Sequence, residues 1–203
     1  MFDKIVIAFA TRFKKPVTVV RRHVKIEHVE QWGRVRRLEG GDDMYASSLV
    51  KAGEDYRDAT YIRVSSSVLC SFELIAEFKC QYDMLVDIYA RQARRDPKWE
   101  LQSFFGQLQN ILEVRLPSIP DLDLPEPTVY ILAGIRACEL EAKNALKMPY
   151  YSKTSRYEVV DMTCVQCLVA RIAEDASGTR WAIADRSNNI SRSYYVEDEP
   201  QPV

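Results

Sequence analysis

Two cysteines three residues apart, Cys164 and Cys167, have the clearest chemical potential in this sequence. Pairs with this spacing occur in zinc sites and in thiol–disulfide enzymes. A zinc site needs two more ligands, for which we consider Cys138 and the only two histidines, His23 and His28. The β-branched neighbours predict a strand, in which residues three apart point to opposite faces. The two cysteines are therefore predicted to be separate structural residues.

The segment His28-Val-Glu30, combined with the same cysteines, matches the letters of the H-x-E…C-x-x-C signature of zinc-dependent deaminases. In that arrangement His28, Cys164 and Cys167 bind zinc, and Glu30 moves protons. The signature also needs a proline before the first cysteine, whereas Thr163 stands there, and a helix for each half, whereas the surroundings predict strands. A zinc hydrolase of deaminase type is kept as the alternative function.

The run Gly40-Gly41-Asp42-Asp43 has the residue types that hold Mg²⁺ at a hairpin tip in polymerases and nucleotide cyclases. The same letters suit a plain hairpin turn, because glycine accepts positive φ and aspartate bonds to nearby backbone. We predict the turn. The chain also has no G-x-S-x-G, Walker A or G-x-G-x-x-G motif, so a non-enzymatic protein without a cofactor is favoured.

Basic residues interleaved with tryptophan indicate nucleic-acid binding, because cations hold phosphates and aromatic faces stack on bases. Residues 1–37 contain ten Lys or Arg against three Asp or Glu, although the whole chain has a net charge of −1. The predicted nucleic-acid-binding residues, in two clusters, are Trp32, Arg34, Arg36, Arg37, Arg91, Arg94 and Arg95. The competing interpretation is that these long side chains keep a β surface soluble.

Composition predicts one globular domain over residues 1–203, with 47% hydrophobic and 28% charged residues. The longest apolar run has about six residues, too few for a spanning helix or a secretory leader. Five cysteines without framework spacing fit reduced thiols. An intracellular protein with no membrane association is predicted.

Apolar residues mostly alternate with period two, which predicts a mainly β fold: a small barrel or sandwich with long loops and one or two short helices. Residues 4–13, 16–29 and 156–172 are among the predicted strands, and residues 84–95 and 137–146 are the predicted helices. Prolines place a loop at residues 117–127. The acidic tail, residues 194–203, is predicted to be disordered.

Residues 64–81 interrupt an otherwise continuous pattern with a serine cluster and an apolar run. Val64-Ser65 can be encoded by a splice-donor sequence and Cys80-Gln81 by a splice acceptor. Our hypothesis is that this segment is a retained intron, which would leave an authentic chain of about 185 residues. The alternative is a genuine strand or short helix within a longer loop.

Several segments together resemble a set of transposon-associated proteins of mushroom-forming (basidiomycete) fungi: RRLEGGDDMYASSLV, RDATYIR, YDMLVDIYARQ, FFGQLQNILEV, VVDMTCVQCLVARI and RWAIADRS. The resemblance covers residues 36–187, and there YIR joins YDMLVD directly. It implies a mobile-element origin and a nuclear location. It also implies DNA, RNA or other domains of a transposase-like protein as partners. No catalytic residue follows from it, and an inactive relic is a further alternative.

Overall fold

The computed structural model of the chain describes residues 1–36, 43–49, 58–64, 84–87, 99–102, 104–143, 148–174 and 178–185. The helices in these ranges are α1 (Phe2–Phe13) and α2 (Val17–His23), with 3-10 turns at Ile26–His28, Pro120–Leu122 and Met162–Cys164. None of the described helices is long and apolar enough to cross a bilayer.

The remaining described elements are strands, and they confirm the predicted mainly β, barrel-like fold. Their bounds are β1 (Val29–Trp32), β2 (Arg34–Arg36), β3 (Asp43–Tyr45), β4 (Tyr61–Val64), β5 (Met84–Asp87), β6 (Trp99–Gln102), β7 (Phe104–Leu116), β8 (Thr128–Lys143), β9 (Pro149–Asp161), β10 (Val165–Leu168), β11 (Ala170–Ala173) and β12 (Trp181–Ala184).

One antiparallel sheet has the order β10–β4–β7–β8–β9–β12–β11, with β1 added to the far half of β7. Its two ends meet, because β10 and β11 are consecutive and only Val169 separates them. The backbone N–H of Val169 donates to the carbonyl oxygen of Tyr61 at 2.9 Å. The stretch 165–173 thus pairs first with β4 and then with β12, and this change of partner nearly closes the sheet into a barrel.

The amino-terminal segment is helical, so the strand predicted at residues 4–13 is wrong. A strand would put Ile5 and Ile7 on the same face, yet Ile5 is buried and Ile7 is 46% exposed. Ile5, Phe9 and Phe13 instead follow a four-residue spacing along one helix face. The rings of Phe9 and Phe13 stack 5.5 Å apart, and Phe9 is fully buried against the sheet. Packing therefore outweighs the β preference of the valines and isoleucines.

Other predicted elements are also reassigned. The strands predicted at residues 16–29 are wrong except at Val29, where β1 begins, because Val17–His23 forms α2 and Ile26–His28 a 3-10 turn. The helix predicted at 137–146 is wrong because β8 continues to Lys143, paired with β9. The helix predicted at 84–95 is wrong at its start, where Met84–Asp87 is β5. The strand predicted at 156–172 is broken by the 3-10 turn Met162–Cys164.

The loop predicted at residues 117–127 is confirmed between β7 and β8. It contains the 3-10 turn Pro120–Leu122 and is pinned by a bridge between Ile119 and Leu124. Leu122 is buried beneath the two helices. The proposed insert, residues 64–81, lies outside the described residues except for Val64, which ends β4. The acidic tail, residues 194–203, also lies outside them, so both hypotheses stay predictions.

Candidate functional site

The two cysteines of the C-x-x-C pair belong to different hydrophobic clusters. Cys164 is 4% exposed and packs with residues such as Ile62, whereas Cys167 packs against the cluster that contains Tyr61. Ile62 and Tyr61 are neighbours on β4 with opposite side-chain directions, as strand geometry requires. The two thiols therefore serve separate parts of the core.

The other members of the deaminase-type ligand set lie elsewhere. His28 accepts a hydrogen bond from the backbone N–H of Lys25, and Glu30 lies 3.6 Å from the guanidinium of Arg115. The described part of the chain contains no group of three His, Cys, Asp or Glu residues that could hold a metal ion. His28, Cys164 and Cys167 are thus not brought together as zinc ligands.

Three of the predicted nucleic-acid-binding residues, Trp32, Arg34 and Arg36, lie within the described ranges. Trp32 ends β1 with 45% of its surface exposed. Arg34 and Arg36 lie on β2, and Asp43 on β3 faces them both: Arg36 donates to its two carboxylate oxygens at 2.6 and 3.1 Å, and Arg34 lies 3.7 Å away. One carboxylate therefore offsets one of these two charges.

The rest of that prediction falls outside the described residues. This applies to the four remaining arginines of the two clusters, Arg37, Arg91, Arg94 and Arg95. It also applies to residues 40–42 of the predicted Gly-Gly-Asp turn. The pairing of β2 with β3, in which Arg36 stands opposite Asp43, brackets that turn on both sides.

A cleft of about 450 Å³ opens where α2 ends, opposite the proline-rich loop. One wall comes from the end of α2 and the following 3-10 turn, and the other from the loop after β7. Its lining residues are Arg22, His23, Lys25, His28, Pro117, Ser118, Ile119, Pro120 and Asp121. Val20 and Val24, both fully buried, anchor the first wall, and Ile119 and Leu122 anchor the second in the same cluster.

Some of the charged side chains at this cleft have an ion-pair partner among the described residues and others do not. His23 lies 3.1 Å from Asp121, and the neighbouring Arg21 is bound to Asp3 at 2.7 Å on the outer surface. Arg22 and Lys25 make no ion pair with any residue in the described ranges. Two exposed cations therefore face a concave surface whose single carboxylate is already engaged by an imidazole.

The imidazole of His28 adds a directed donor to the same cleft. Its Nδ1 accepts from the Lys25 backbone N–H at 3.3 Å, so in the neutral ring the hydrogen must reside on Nε2. Within the described residues Nε2 has no hydrogen-bond partner. A neutral His28 can thus donate to an anion without first gaining a proton.

Part of this positive charge has a structural explanation. Arg22 and His23 occupy the last turn of α2, where cations stabilise the exposed carbonyl groups of a helix. Lys25 and His28 lie beyond that turn, in the extended residue and 3-10 turn that follow. The helix terminus therefore accounts for only half of the basic groups.

A second polar cluster lies inside one end of the barrel, around Arg171 on β11. Its guanidinium donates to the hydroxyls of Tyr61 and Tyr151 at 3.1 and 3.3 Å, and to Asp58 at 2.7 Å. Its guanidinium carbon lies 4.2 Å from the centre of the Trp181 ring. These four side chains occupy the space around the guanidinium of Arg171.

Burial in this second cluster suppresses its acid–base chemistry. It raises the pKa of the Cys138 thiol to about 12, and it also raises the pKa of Tyr151 and of Tyr61. A thiol with such a pKa stays protonated near neutral pH and is a poor nucleophile. The cluster is therefore built for stability, and the cleft is the better candidate for binding.

Comparison with known protein families, with curated proteins and with solved structures gives no match for this chain. The sequence prediction of nucleic-acid binding selected Trp32, Arg34 and Arg36 but not Arg22 or Lys25, and it considered His23 and His28 only as zinc ligands. The signal was present in the run RRHVKIEH, whose basic groups recur every three residues, as on one side of a helix and turn.

Proposed function

We propose that this protein is a non-enzymatic domain that binds nucleic acid, with the α2 cleft as its principal phosphate contact. The observation that supports the proposal best is that Arg22 and Lys25, which make no ion pair with any described residue, lie together at a concave surface. Phosphate contacts supply most of the affinity of such proteins, and each contact releases counterions. The exposed Trp32, with Arg34 and Arg36 beyond it, would add a stacking platform and further charge.

The resemblance to transposon-associated fungal proteins supports the same proposal. A domain of such a protein would work in the nucleus, on DNA or RNA or beside other domains of a transposase-like protein. Binding through phosphate groups suits that setting, because it tolerates many sequences.

The test uses the purified full chain and a fluorescent single-stranded oligonucleotide, with binding followed by anisotropy over a range of salt concentrations. The variant R22Q/K25Q is expected to bind about tenfold more weakly, with a salt slope lower by about 2. Its matched control is K4Q/K14Q, because Lys4 and Lys14 on and beside α1 also make no ion pair within the described ranges and do not line the cleft.

Two results would contradict the proposal. Absence of salt-dependent binding by the wild-type chain would reject nucleic-acid binding altogether. Equal losses in R22Q/K25Q and K4Q/K14Q would show that total charge, not the cleft, governs the interaction.

A further inference from the structure

We infer that the α2 cleft receives the phosphorylated end of a nucleic-acid strand, holding a monoester phosphate and the nucleoside attached to it. The inference rests on the proposed function and narrows it, because it distinguishes a strand end from the phosphodiesters along a strand. Three features of the cleft support it: its charge, its hydrogen-bond donors and its size.

The charge of the cleft matches a terminal phosphate. A phosphomonoester carries between one and a half and two negative charges near neutral pH, whereas each internal diester carries one. Arg22 and Lys25 supply two positive charges, and Asp121, the carboxylate of the opposite wall, lies 3.1 Å from the His23 ring. A dianion neutralises both cations at a single point, and charge-assisted hydrogen bonds to phosphate are roughly twice as strong as those between neutral groups.

The donors of the cleft differ in chemistry. Arg22 offers a planar fork that can grip two phosphate oxygens, and Lys25 offers a compact charge. The Nε2–H of His28, which has no hydrogen-bond partner among the described residues, provides a third donor, and the bond from the Lys25 backbone N–H orients the ring. A monoester exposes three terminal oxygens, so it can accept from all three groups together, whereas a diester exposes only two.

The opposite wall of the cleft combines Ser118 and Asp121 with apolar residues. Pro117 and Pro120 are exposed there and offer flat, uncharged surfaces to a sugar or base. A cleft of about 450 Å³ lies within the usual range for sites that hold one small molecule. Phosphate at the basic wall and nucleoside at the proline wall would together occupy it.

The test compares three single-stranded oligonucleotides of one sequence: one with a 5′-phosphate, one with a 3′-phosphate and one with hydroxyl groups at both ends. An internal fluorophore leaves the ends free. We expect one phosphorylated form to bind about tenfold more tightly than the hydroxyl form. R22Q/K25Q should abolish that preference, and K4Q/K14Q should retain it.

His28 provides a separate readout. His28→Ala should reduce the preference severalfold, and His28→Gln should restore part of it, because the glutamine amide can replace the lost donor. Nitrogen-15 spectra of the wild-type histidines should show a shift of the His28 Nε2 resonance on addition of adenosine 5′-monophosphate.

The failures of the two proposals are distinguishable. If all three oligonucleotides bind with affinities within twofold of one another and R22Q/K25Q weakens them equally, the cleft holds internal phosphates; the present inference is then wrong and the proposed function stands. If none of the three binds, both are wrong.

Discussion

The guanidinium carbon of Arg171 lies 3.9 Å from the centre of the Tyr61 ring, so β11 and β4 are joined by a side-chain contact although they do not pair. The same guanidinium donates to Asp58 just before β4 and lies against Trp181 of β12. These contacts lie where the strand 165–173 exchanges one partner for another. Arg171 therefore ties β11 to β4 by side-chain contacts at the point where the backbone changes partner.

Replacing this arginine should loosen the barrel. Arg171→Met removes the bonds to Tyr61 and Tyr151 and leaves Asp58 without its cation, so we expect the free energy of unfolding to fall by about 2 kcal/mol. The cost stays below that of a fully buried pair because Asp58 retains contact with water. Arg171→Lys should recover part of the loss, since it keeps the charge but not the flat stacking surface. Urea denaturation measures both, and an unchanged midpoint for the Met variant would refute the closure role.

A second prediction concerns Gly134 and Tyr157. A methyl group on Gly134 would overlap the Tyr157 hydroxyl and approach its Cζ to 2.8 Å. That ring is not free to move, because its hydroxyl donates to Asn110 at 3.0 Å. Gly134→Ala should therefore cost about 1–3 kcal/mol of unfolding free energy.

The cost of Gly134→Ala should largely disappear in a Tyr157→Ala background, where the space is open. Calorimetry or urea denaturation of the four proteins completes the double-mutant cycle. Strictly additive effects would mean that the tyrosine is not the obstacle.

Alkaline pH should destabilise the protein. Burial raises the pKa of Cys138 from 9.0 and of Tyr157 from 10.0, each to about 12. The unfolded chain gives up these protons near their ordinary pKa values while the folded chain keeps them, so this stability is complete below about pH 9 and is lost as pH rises towards 12. Each group contributes a slope of at most about 1.4 kcal/mol per pH unit.

Urea denaturation at pH 8 and at pH 10.5 tests the alkaline effect. Tyr157→Phe, which has no proton to lose, should show a shallower decline than the wild type. Parallel declines for the two proteins would assign the effect to other groups.

The carboxylate of Asp43 should restrain nucleic-acid binding. It neutralises part of the charge on Arg34 and Arg36, so Asp43→Asn should tighten oligonucleotide binding and steepen its salt dependence by about one unit of slope. Anisotropy titrations at several salt concentrations measure both quantities. A neutral result would show that the β2 arginines do not contact the ligand, whatever the α2 cleft does.

The mainly β class was predictable because stretches of period-two alternation recur along the chain, although register shifts interrupt the pairing of β7, β8 and β9. The amino-terminal helices were not, because valine and isoleucine favour strands and Ile5, Val6 and Ile7 form an unbroken apolar run. Tertiary packing decides that this segment is a helix. Phe9 contacts Tyr130 of the sheet edge to face, with ring centres 5.3 Å apart. Local propensity carries no information about that distant partner.

The cleft was harder to predict than the fold. Pro117 and Asp121 are about a hundred residues from Arg22 in the chain, and only the packing of the loop beneath the helices brings them together. The separate destinations of Cys164 and Cys167, by contrast, were predicted, although Cys164 ends a 3-10 turn and only Cys167 lies on a strand. Patterns within one element are visible in a sequence, whereas concave surfaces between elements are not.

The exchange of strand partners at Val169 also affects the order in which the strands are expected to pair during folding. β7, β8 and β9 are consecutive in sequence and pair with their neighbours across short connections. β4, by contrast, pairs with β10, which lies roughly a hundred residues away in the chain. The entropy of closing so large a loop is lost before any contact repays it. We therefore expect the β7–β8–β9 meander to form first, and the seam at Val169 to form last and to open first.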